Sequence, residues 1–287
     1  MARRKININT LRLKKRRNEK VTYLTAYDFP TAHFADQAEI DMLLIGDSGG
    51  MTMMGQESTI SVTMDEMLMM AKSVVRGAKS TFNVGDMPFM SYQASNEDAI
   101  RNAGKLIAIG CDAVKLEGGT EVCERISAID NAGIPVMAHL GLTPQSLSQM
   151  GGYRVQGKTA KSAEIVLKQA KDLEDAGCSF LLLEAMPTEP AEMIANELSI
   201  PVYGIGAGDK VDGQLVISHD MLGLFVGDVD PKFVKKYADL SSIIKDAFKN
   251  YKDDIENNLF PEEKHLYSIE GEDLQQIVDH SNKNLKD

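Results

Sequence analysis

The chain has few of the features that mark exported or membrane proteins. Its three cysteines are an odd number without C-x-x-C spacing, which suits packed, reduced thiols better than a disulfide framework or a zinc site. The longest apolar runs have four or five residues, far short of the ~20 needed to span a bilayer. The charged amino terminus is not followed by an apolar stretch, as a secretory signal would require. We therefore expect a cytoplasmic protein.

The composition also excludes a disordered or low-complexity chain. Only 23 glycines and 9 prolines occur among 287 residues, while apolar residues make up 43% and charged residues 25%. These proportions are those of an ordinary globular protein. The length suits one large α/β domain with tails.

Charge is distributed unevenly along the chain. The net charge is −11, yet residues 1–20 carry nine Lys or Arg against Glu19, so this arm has +8 and the other 267 residues have −19. A basic arm fits a nucleic-acid tail, an organelle presequence or a solvated helix face. An acidic body would repel a phosphate backbone, so we favour the helix face and expect no nucleic-acid partner. Four apolar residues could let the arm close off part of the body: Ile6, Ile8, Leu11 and Leu13.

Beyond residue 20, short apolar or β-branched runs alternate with longer segments of helical periodicity. This alternation is typical of successive βα units and a parallel sheet. Eight such strands favour a closed (β/α)₈ barrel, with a doubly wound open sheet as the alternative. The predicted strands are 21–27, 42–47, 81–86, 113–117, 136–140, 180–184, 202–205 and 215–219.

The helical segments between the strands complete the predicted organisation. Thr63 and Asn96 are candidate N-caps because acidic residues follow them closely. We divide the chain into a basic arm (1–20), a barrel with a carboxyl-terminal helix over 231–260 (21–260) and a weakly ordered polar tail (261–287). The predicted barrel helices are 30–38, 63–78, 96–108, 121–131, 160–176 and 189–197.

Polar residues stand where consecutive predicted strands end. In a parallel barrel these ends converge on one mouth, where active sites lie. Any one of these acids could instead be a helix cap or a loop residue. As a set they predict a catalytic site: Asp47 and Ser48 after strand two, Asp86 after strand three, Lys115 and Glu117 on strand four, His139 on strand five and Glu184 on strand six.

Three carboxylates crowded at one mouth would repel one another unless a cation or a proton relieved them. The acids concerned are Asp47, Asp86 and Glu117. A hard divalent ion is the simplest relief, and Mg²⁺ prefers oxygen ligands and leaves room for substrate oxygens. The pattern therefore predicts a magnesium site.

The remaining candidates have two interpretations each. Glu184 follows a strongly apolar strand, so desolvation would raise its pKa and suit a general base, or it is a buried partner of Lys115 or another cation. Lys115 could neutralise an anionic substrate or form a structural ion pair with Glu117 or Glu184. His139 could donate to a substrate oxygen or be a satisfied core residue.

Seven ordered motifs resemble those of the 3-methyl-2-oxobutanoate hydroxymethyltransferase family, over about residues 6 to 266. Departures are peripheral, such as Arg154 where Lys is common and Gly49-Gly50 where Leu-Gly is common. The motifs are LTAYD (24–28), GDS (46–48), DMPFM (86–90), VKLEGG (114–119), HLGLTPQ (139–145), GGYRVQG (151–157) and GIGAG (204–208).

The resemblance implies a (β/α)₈ barrel assembled as a decamer of two pentameric rings, with Mg²⁺ and 5,10-methylenetetrahydrofolate. The family's metal positions fall on Asp47, Asp86 and Glu117, the last through water. Its ketoacid-binding positions fall on Asp47, Ser48, Asp86 and Lys115, with His139 close to the same ligand, and its proton acceptor falls on Glu184.

The implied reaction forms 2-dehydropantoate in pantothenate and coenzyme A synthesis. Chelation of the ketoacid by Mg²⁺ would acidify C3, Glu184 would remove the proton, and the enolate would attack the methylene carbon of the folate. An alternative is a Mg²⁺-dependent 2-oxo acid lyase or mutase on a related barrel. Folate-dependent product formation separates the two.

Overall fold

Eight parallel strands form a closed barrel in the computed structural model, which describes residues 3–152, 155–227, 231–269 and 271–284. Each strand pairs with the next, and the last closes on the first with Gly213 opposite Val21. This confirms the (β/α)₈ barrel over an open sheet. The strands are β1 (Val21–Thr25), β2 (Met42–Ile45), β3 (Phe82–Asp86), β4 (Ala113–Glu117), β5 (Val136–Gly141), β6 (Phe180–Glu184), β7 (Val202–Ile205) and β8 (Gly213–Val216).

The predicted barrel helices agree with the observed ones to within two residues at each end. Within the described ranges, none of the helices has the length and apolarity to cross a bilayer. The helices are α1 (Ile8–Arg16), α2 (Phe29–Gln37), α3 (Gly49–Thr52), α4 (Met64–Gly77), α5 (Asn96–Ile109), α6 (Cys123–Asn131), α7 (Leu147–Met150), α8 (Ala160–Asp175), α9 (Thr188–Glu197), α10 (Ser218–Met221), α11 (Leu240–Glu256) and α12 (Glu272–Asn284).

Side chains cap the first turns of α4 and α5. Thr63 caps α4 as predicted, and its hydroxyl accepts from the backbone N–H of Glu66 while the Glu66 carboxylate accepts from the Thr63 N–H. This reciprocal pair satisfies two of the backbone donors that a helix start leaves open. The predicted cap at Asn96 is wrong by one residue, because the Ser95 side chain accepts from the Asp98 N–H and Asn96 begins α5.

Two apolar clusters hold the barrel together. One lies between the strands and the helices, where the buried face of α4 repeats at Met67, Met70, Ala71 and Val74. This spacing places all four side chains on one side of the helix. The other cluster fills the barrel interior and includes the rings of Tyr23, Phe82, Phe180 and Tyr203. The interior is therefore packed, so only the ends of the barrel offer space for a ligand.

The amino-terminal arm packs against the interior cluster. Ile6 and Leu11 are buried there, beside Val21 and Leu215. The Asn7 side chain caps α1 by accepting from the Thr10 N–H. The arm thus covers the barrel end where the strands begin, which is the role anticipated for its apolar residues.

Three aspartates bind the arm to this end of the barrel. Asp41, Asp112 and Asp212 directly precede β2, β4 and β8. Each accepts a backbone N–H from the neighbouring strand segment, and each pairs with one lysine of the arm. Asp41 accepts the Thr22 N–H at 3.0 Å and pairs with Lys14 at 2.6 Å. Asp112 accepts the Asn83 N–H at 2.7 Å and pairs with Lys5 at 2.6 Å. Asp212 accepts the Val202 N–H at 2.7 Å and pairs with Lys15 at 2.8 Å.

Two expectations about the later part of the chain need correction. The eighth strand begins and ends earlier than the predicted 215–219, because residues 213–216 pair with β1 and the chain turns into α10 at Ser218. The predicted helix over 231–260 begins only at Leu240, where Asp239 caps it through the Ser242 N–H. Phe233, expected on that helix, instead lies beside Gly206.

The chain divides into two compact units, residues 1–238 and 239–287. The second contains α11 and α12, and the ring of Phe260 lies 6.1 Å from Tyr251 and 5.1 Å from His265. The tail expected to be weakly ordered therefore includes a helix over Glu272–Asn284, while residues 270 and 285–287 lie outside the described residues.

The arm allows a matched test of its contribution to stability. Leu11 is 0% exposed and Leu13, on the same helix, is 43% exposed. We expect Leu11→Ala to lower the free energy of unfolding by about 2–5 kcal/mol, as for other buried leucines. Leu13→Ala should change it by less than about 0.5 kcal/mol. Equal effects in urea-induced unfolding would show that the arm is not part of the core.

Candidate active site

One cavity of about 1100 Å³ opens at the carboxyl ends of the strands, opposite the arm. All seven residues predicted to form a site line this cavity, so the barrel brings together residues that lie up to 137 positions apart in the chain. They are Asp47, Ser48, Asp86, Lys115, Glu117, His139 and Glu184.

The Lys115 ammonium group is at the centre of the polar side of the cavity. Its Nζ lies 2.8 Å from both carboxylate oxygens of Asp86 and 3.1 Å from Glu117 Oε1. Lys115 is only 2% exposed. Burial opposes its charge, but the neighbouring carboxylates outweigh burial and raise the pKa of Lys115 well above its usual value. The interpretation of Lys115 as a partner of Glu117 is correct, and Asp86 is a second partner.

The two aspartates face each other across the ends of β2 and β3. The Asp47 N–H donates to Asp86 Oδ2 at 3.2 Å. Burial and then the charge of Asp86 raise the pKa of Asp47 well above its usual range. Burial also raises the pKa of Asp86, although Lys115 opposes that shift. Negative charge at this pair is thus under-compensated within the protein.

His139 lies between two carboxylates. Its Nδ1 is 3.2 Å from Glu117 Oε1, and its Nε2 is 3.2 Å from Glu184 Oε2, at an angle that leaves Nε2 without a well-directed hydrogen bond. Burial works against the charged ring, but Glu117 and then Glu184 outweigh it and raise the pKa of His139 to about 9. The ring is therefore protonated at neutral pH.

Glu117 is the best-compensated acid of the group. Burial alone would favour its neutral form, but Lys115 and His139 outweigh burial and lower its pKa to about 2. Its second oxygen, Oε2, accepts the backbone N–H of Gln145 at 3.0 Å. Both carboxylate oxygens are thus engaged by the protein.

Glu184 is more accessible than the sequence suggested. Its side chain is 17% exposed and lines the cavity, so it is not enclosed by the apolar strand that precedes it. Its partner is His139 and not Lys115. Gly141 lies opposite Glu184 in the β5–β6 register, and a Cβ at Gly141 would collide with the Glu184 carbonyl oxygen. Glycine at this position therefore lets β5 approach the site closely.

Ser48 lies at the rim of the polar side. Its hydroxyl is 2.8 Å from the Tyr27 hydroxyl, and either can be the donor. Tyr27 is fully buried. This contact holds Ser48 in place beside Asp47.

Sequence reasoning missed Gln145 as a site residue. It lies in a 3₁₀ turn (Pro144–Ser146) after β5, is buried, and donates from Nε2 to Asp47 Oδ2 at 2.9 Å. The HLGLTPQ motif contains it, but a loop glutamine has no periodic or strand-end signal. Its partner is 98 residues away, so only the fold reveals the contact.

Much of the remaining cavity wall is apolar. Residues from the β5, β6, β7 and β8 ends and from the segment after α10 form this apolar part. An apolar wall beside a charged cluster suits ligands that present both apolar and polar surface. The wall includes Leu142, Met186, Ile205, Leu215, Ile217, Phe225 and Phe233.

The polar side of the cavity offers carboxylates for the predicted magnesium site. Among the described residues, no three His, Cys, Asp or Glu side chains are arranged to hold a metal ion together, so the predicted trio of Asp47, Asp86 and Glu117 is not found as a three-ligand group. Mg²⁺ usually takes only one or two carboxylates and keeps waters or substrate oxygens as its other ligands. Asp47 and Asp86 are such a pair. When ionised, the four predicted acids (Asp47, Asp86, Glu117 and Glu184) exceed Lys115 and His139 by two negative charges, which a divalent cation would balance.

Comparisons with known proteins match nearly the whole chain. A family model described as ketopantoate hydroxymethyltransferase matches residues 5–263. A protein of Syntrophomonas wolfei subsp. wolfei named 3-methyl-2-oxobutanoate hydroxymethyltransferase is 47% identical over 274 residues, which cover 95% of this chain and 99% of that protein. A protein of the same name from Thermoanaerobacter sp. is 50% identical over 267 residues, 93% of this chain and 97% of its own length.

Solved structures show similarity at the level of the fold. A phosphoenolpyruvate phosphomutase from Streptomyces platensis subsp. rosaceus superposes with a TM-score of 0.61 at 16% identity and covers 97% of this chain and 96% of its own. A phosphonopyruvate hydrolase, solved with oxalate and Mg²⁺, has a TM-score of 0.59 at 12% identity. The match covers 98% of this chain and 97% of the hydrolase.

The charge on His139 should be visible as pH-dependent stability in the protein kept free of divalent ions. Its pKa is raised from 6.5 to about 9, so its stabilisation is complete below about pH 6.5 and is lost as the pH rises through 9. The full shift corresponds to roughly 3 kcal/mol.

We expect His139→Gln to lack this component when unfolding free energies are compared between pH 6 and 10 in chelator. His280→Gln, at an exposed position of α12, is the control and should retain it. A His139→Gln profile parallel to that of the unsubstituted protein would show that His139 is not charged in the fold.

Proposed function

This chain belongs to the ketopantoate hydroxymethyltransferase family and is a one-carbon transferase, and from that premise we propose its reaction in detail. It transfers a one-carbon unit from 5,10-methylenetetrahydrofolate to 3-methyl-2-oxobutanoate and forms 2-dehydropantoate for pantothenate and coenzyme A synthesis. The observation that carries the proposal is the family match over residues 5–263, combined with the seven polar residues around one cavity.

The ketoacid binds at the polar side of the cavity. Lys115, protonated His139 and Ser48 line this side of the cavity and would contact its carboxylate. Asp47 and Asp86 would hold Mg²⁺, with Glu117 acting through a water. When bound, Mg²⁺ supplies Lewis acidity that makes the carbon next to the ketone more acidic.

Glu184 is the base in this proposal. It reaches the cavity, is partly solvated, and lies beside the charged ring of His139. Its carboxylate accepts the C3 proton, and the electron pair left on C3 forms a bond to the methylene carbon of the folate. One of the two bonds between the methylene carbon and the folate nitrogens breaks as this bond forms, and the second breaks when water supplies the new hydroxyl group. The two released nitrogens take up two protons, the one removed from C3 by Glu184 and the one left from water. The products are 2-dehydropantoate and tetrahydrofolate.

The apolar wall supports a site for the folate. A pterin ring is flat and largely apolar on its faces, and side chains such as Phe225, Phe233 and Ile217 offer matching surface. The cavity volume of about 1100 Å³ exceeds what a five-carbon ketoacid needs. Both substrates can therefore occupy one cavity, which direct carbon transfer requires.

The rival assignment, a Mg²⁺-dependent 2-oxo acid lyase or mutase, has less support. The solved lyase and mutase structures are at most 16% identical to this chain and share the fold alone. The relatives at 47–50% identity are hydroxymethyltransferases. Product analysis with and without the folate donor distinguishes the two activities.

We further propose that the chain works in the cytoplasm as a homodecamer of two pentamers. Helices α2 and α4 pack side by side and expose Phe29, Phe34 and Met69. Neighbouring large apolar side chains on a surface are typical of contact sites between subunits. These residues therefore suit an interface between copies of the chain.

The role of Glu184 can be tested by hydrogen exchange. In deuterated water, the enzyme should exchange the C3 proton of 3-methyl-2-oxobutanoate, and Glu184→Gln should slow this exchange by about 10²–10⁴-fold, the usual contribution of a general base. The affinity for the ketoacid should remain nearly unchanged. Glu189→Gln, exposed on α9, is the control. Unaltered exchange in Glu184→Gln would exclude it as the base.

The metal assignment makes a separate prediction. Asp86→Asn removes one proposed ligand and keeps the side-chain shape, so Mg²⁺-dependent turnover should fall by more than the roughly 10–100-fold that loss of an outer partner costs. Asp98→Asn, at an exposed position of α5, is the control. Full activity of the unsubstituted enzyme in excess chelator would refute the metal model.

A further inference from the structure

Gln145 uses every polar atom of its side chain within the site. Its Nε2 donates to Asp47 Oδ2 at 2.9 Å and to the Met87 carbonyl at 3.0 Å, and its Oε1 accepts from the Tyr92 hydroxyl at 2.8 Å. Gln145 is only 5% exposed. A buried amide with all of these partners cannot turn without losing several hydrogen bonds at once.

The orientation of the amide follows from its neighbours. The Asp47 carboxylate and the Met87 carbonyl only accept hydrogen bonds, so the NH₂ group must face them. The Tyr92 hydroxyl accepts the Glu117 N–H at 3.1 Å. Its own hydrogen is therefore free to point at Gln145 Oε1, its nearest acceptor.

The same residue also reaches Glu117 through its backbone. The Gln145 N–H donates to Glu117 Oε2 at 3.0 Å. Gln145 thus connects the segments that follow β2 and β3 with the end of β4, and it does so from the loop that follows β5.

We propose that Gln145 is a positioning residue that fixes the Asp47 and Glu117 carboxylates for ion and ketoacid binding. Its side chain binds one Asp47 oxygen and so holds the Asp47 carboxylate in one orientation. Its backbone N–H holds the Glu117 carboxylate in one orientation in the same way. The inference rests on the proposed function, because Asp47 is assigned there to the ion and the ketoacid. Partners of this kind commonly tune metal affinity through the residues they orient.

The chemistry of the site explains why an amide suits this position. A methionine would fill a similar volume but would leave Asp47 Oδ2 and the Met87 carbonyl without their donor. A glutamate would place a third carboxylate against Asp47, which already faces Asp86. Only a side chain with both a double donor and an acceptor satisfies Asp47, Met87 and Tyr92 together.

The test uses Mn²⁺ as the probe for the ion site. The affinity of the full-length protein for Mn²⁺ is measured from the electron paramagnetic resonance signal of the free ion, and kcat and KM for the ketoacid are measured in parallel. We expect Gln145→Met to weaken Mn²⁺ binding about 10–100-fold and Gln145→Glu to change it as well, with a lower kcat in both. Gln169→Met, at a half-buried position on α8 beside Gly119, is the matched control and should bind Mn²⁺ normally.

The outcomes separate the two proposals. If the unsubstituted protein binds no Mn²⁺, the metal part of the proposed function fails, and this inference fails with it. If the unsubstituted protein binds Mn²⁺ and Gln145→Met binds it equally well with unchanged kcat, only the role of Gln145 is overturned. Thermal unfolding confirms that each variant is folded.

Tyr92→Phe provides a second route if Gln145→Met does not fold. It keeps the amide contacts with Asp47 and removes the hydroxyl that holds Gln145 Oε1 and that also accepts the Glu117 N–H, so both of the carboxylates that Gln145 positions lose support. A weakening of Mn²⁺ binding smaller than that expected for Gln145→Met, but measurable, supports the proposal. An unchanged affinity would contradict it.

Discussion

The buried Lys115 ammonium group, held by Asp86 and Glu117, is the interaction on which the rest of the site depends. It allows three carboxylates to lie within one low-dielectric region, since without it their repulsion and desolvation would be prohibitive. Lys115 and His139 are fewer than the acids around them, and burial together with the charge of Asp86 raises the pKa of Asp47. This remaining negative charge is what makes a divalent cation a suitable ligand.

The two ends of the barrel differ in how fully their acidic side chains are paired with cations. At the amino-terminal end, each of Asp41, Asp112 and Asp212 has a backbone donor and a lysine of its own. These groups satisfy one another and close the barrel. At the carboxyl end, the acids share too few cations and face an open cavity. Stability is therefore concentrated at one end and reactivity at the other, as is typical of this fold.

The fold and most of the site follow from the sequence because both have local signals. Strands such as β6 are continuous apolar runs, and the polar residues that end them, such as Glu184, stand out against that background. The limits of β8 were harder to predict because Gln214 is exposed within it. The roles of Gln145 and of the lysine–aspartate pairs of the arm had no such local signal, because they depend on contacts between residues that are far apart in the chain. The partial exposure of Glu184 likewise depends on the shape of the cavity and on no local pattern.

The central claim is that Asp47 and Asp86 bind a divalent ion beside the ketoacid and within reach of Glu184. A crystal structure with Mn²⁺ and 3-methyl-2-oxobutanoate tests it most directly, because the anomalous signal locates the ion independently of the protein density. We expect one strong peak between the Asp47 and Asp86 carboxylates, with the ketoacid bound next to it on the side of Glu184. A peak elsewhere, or a ketoacid bound away from these residues, would contradict it.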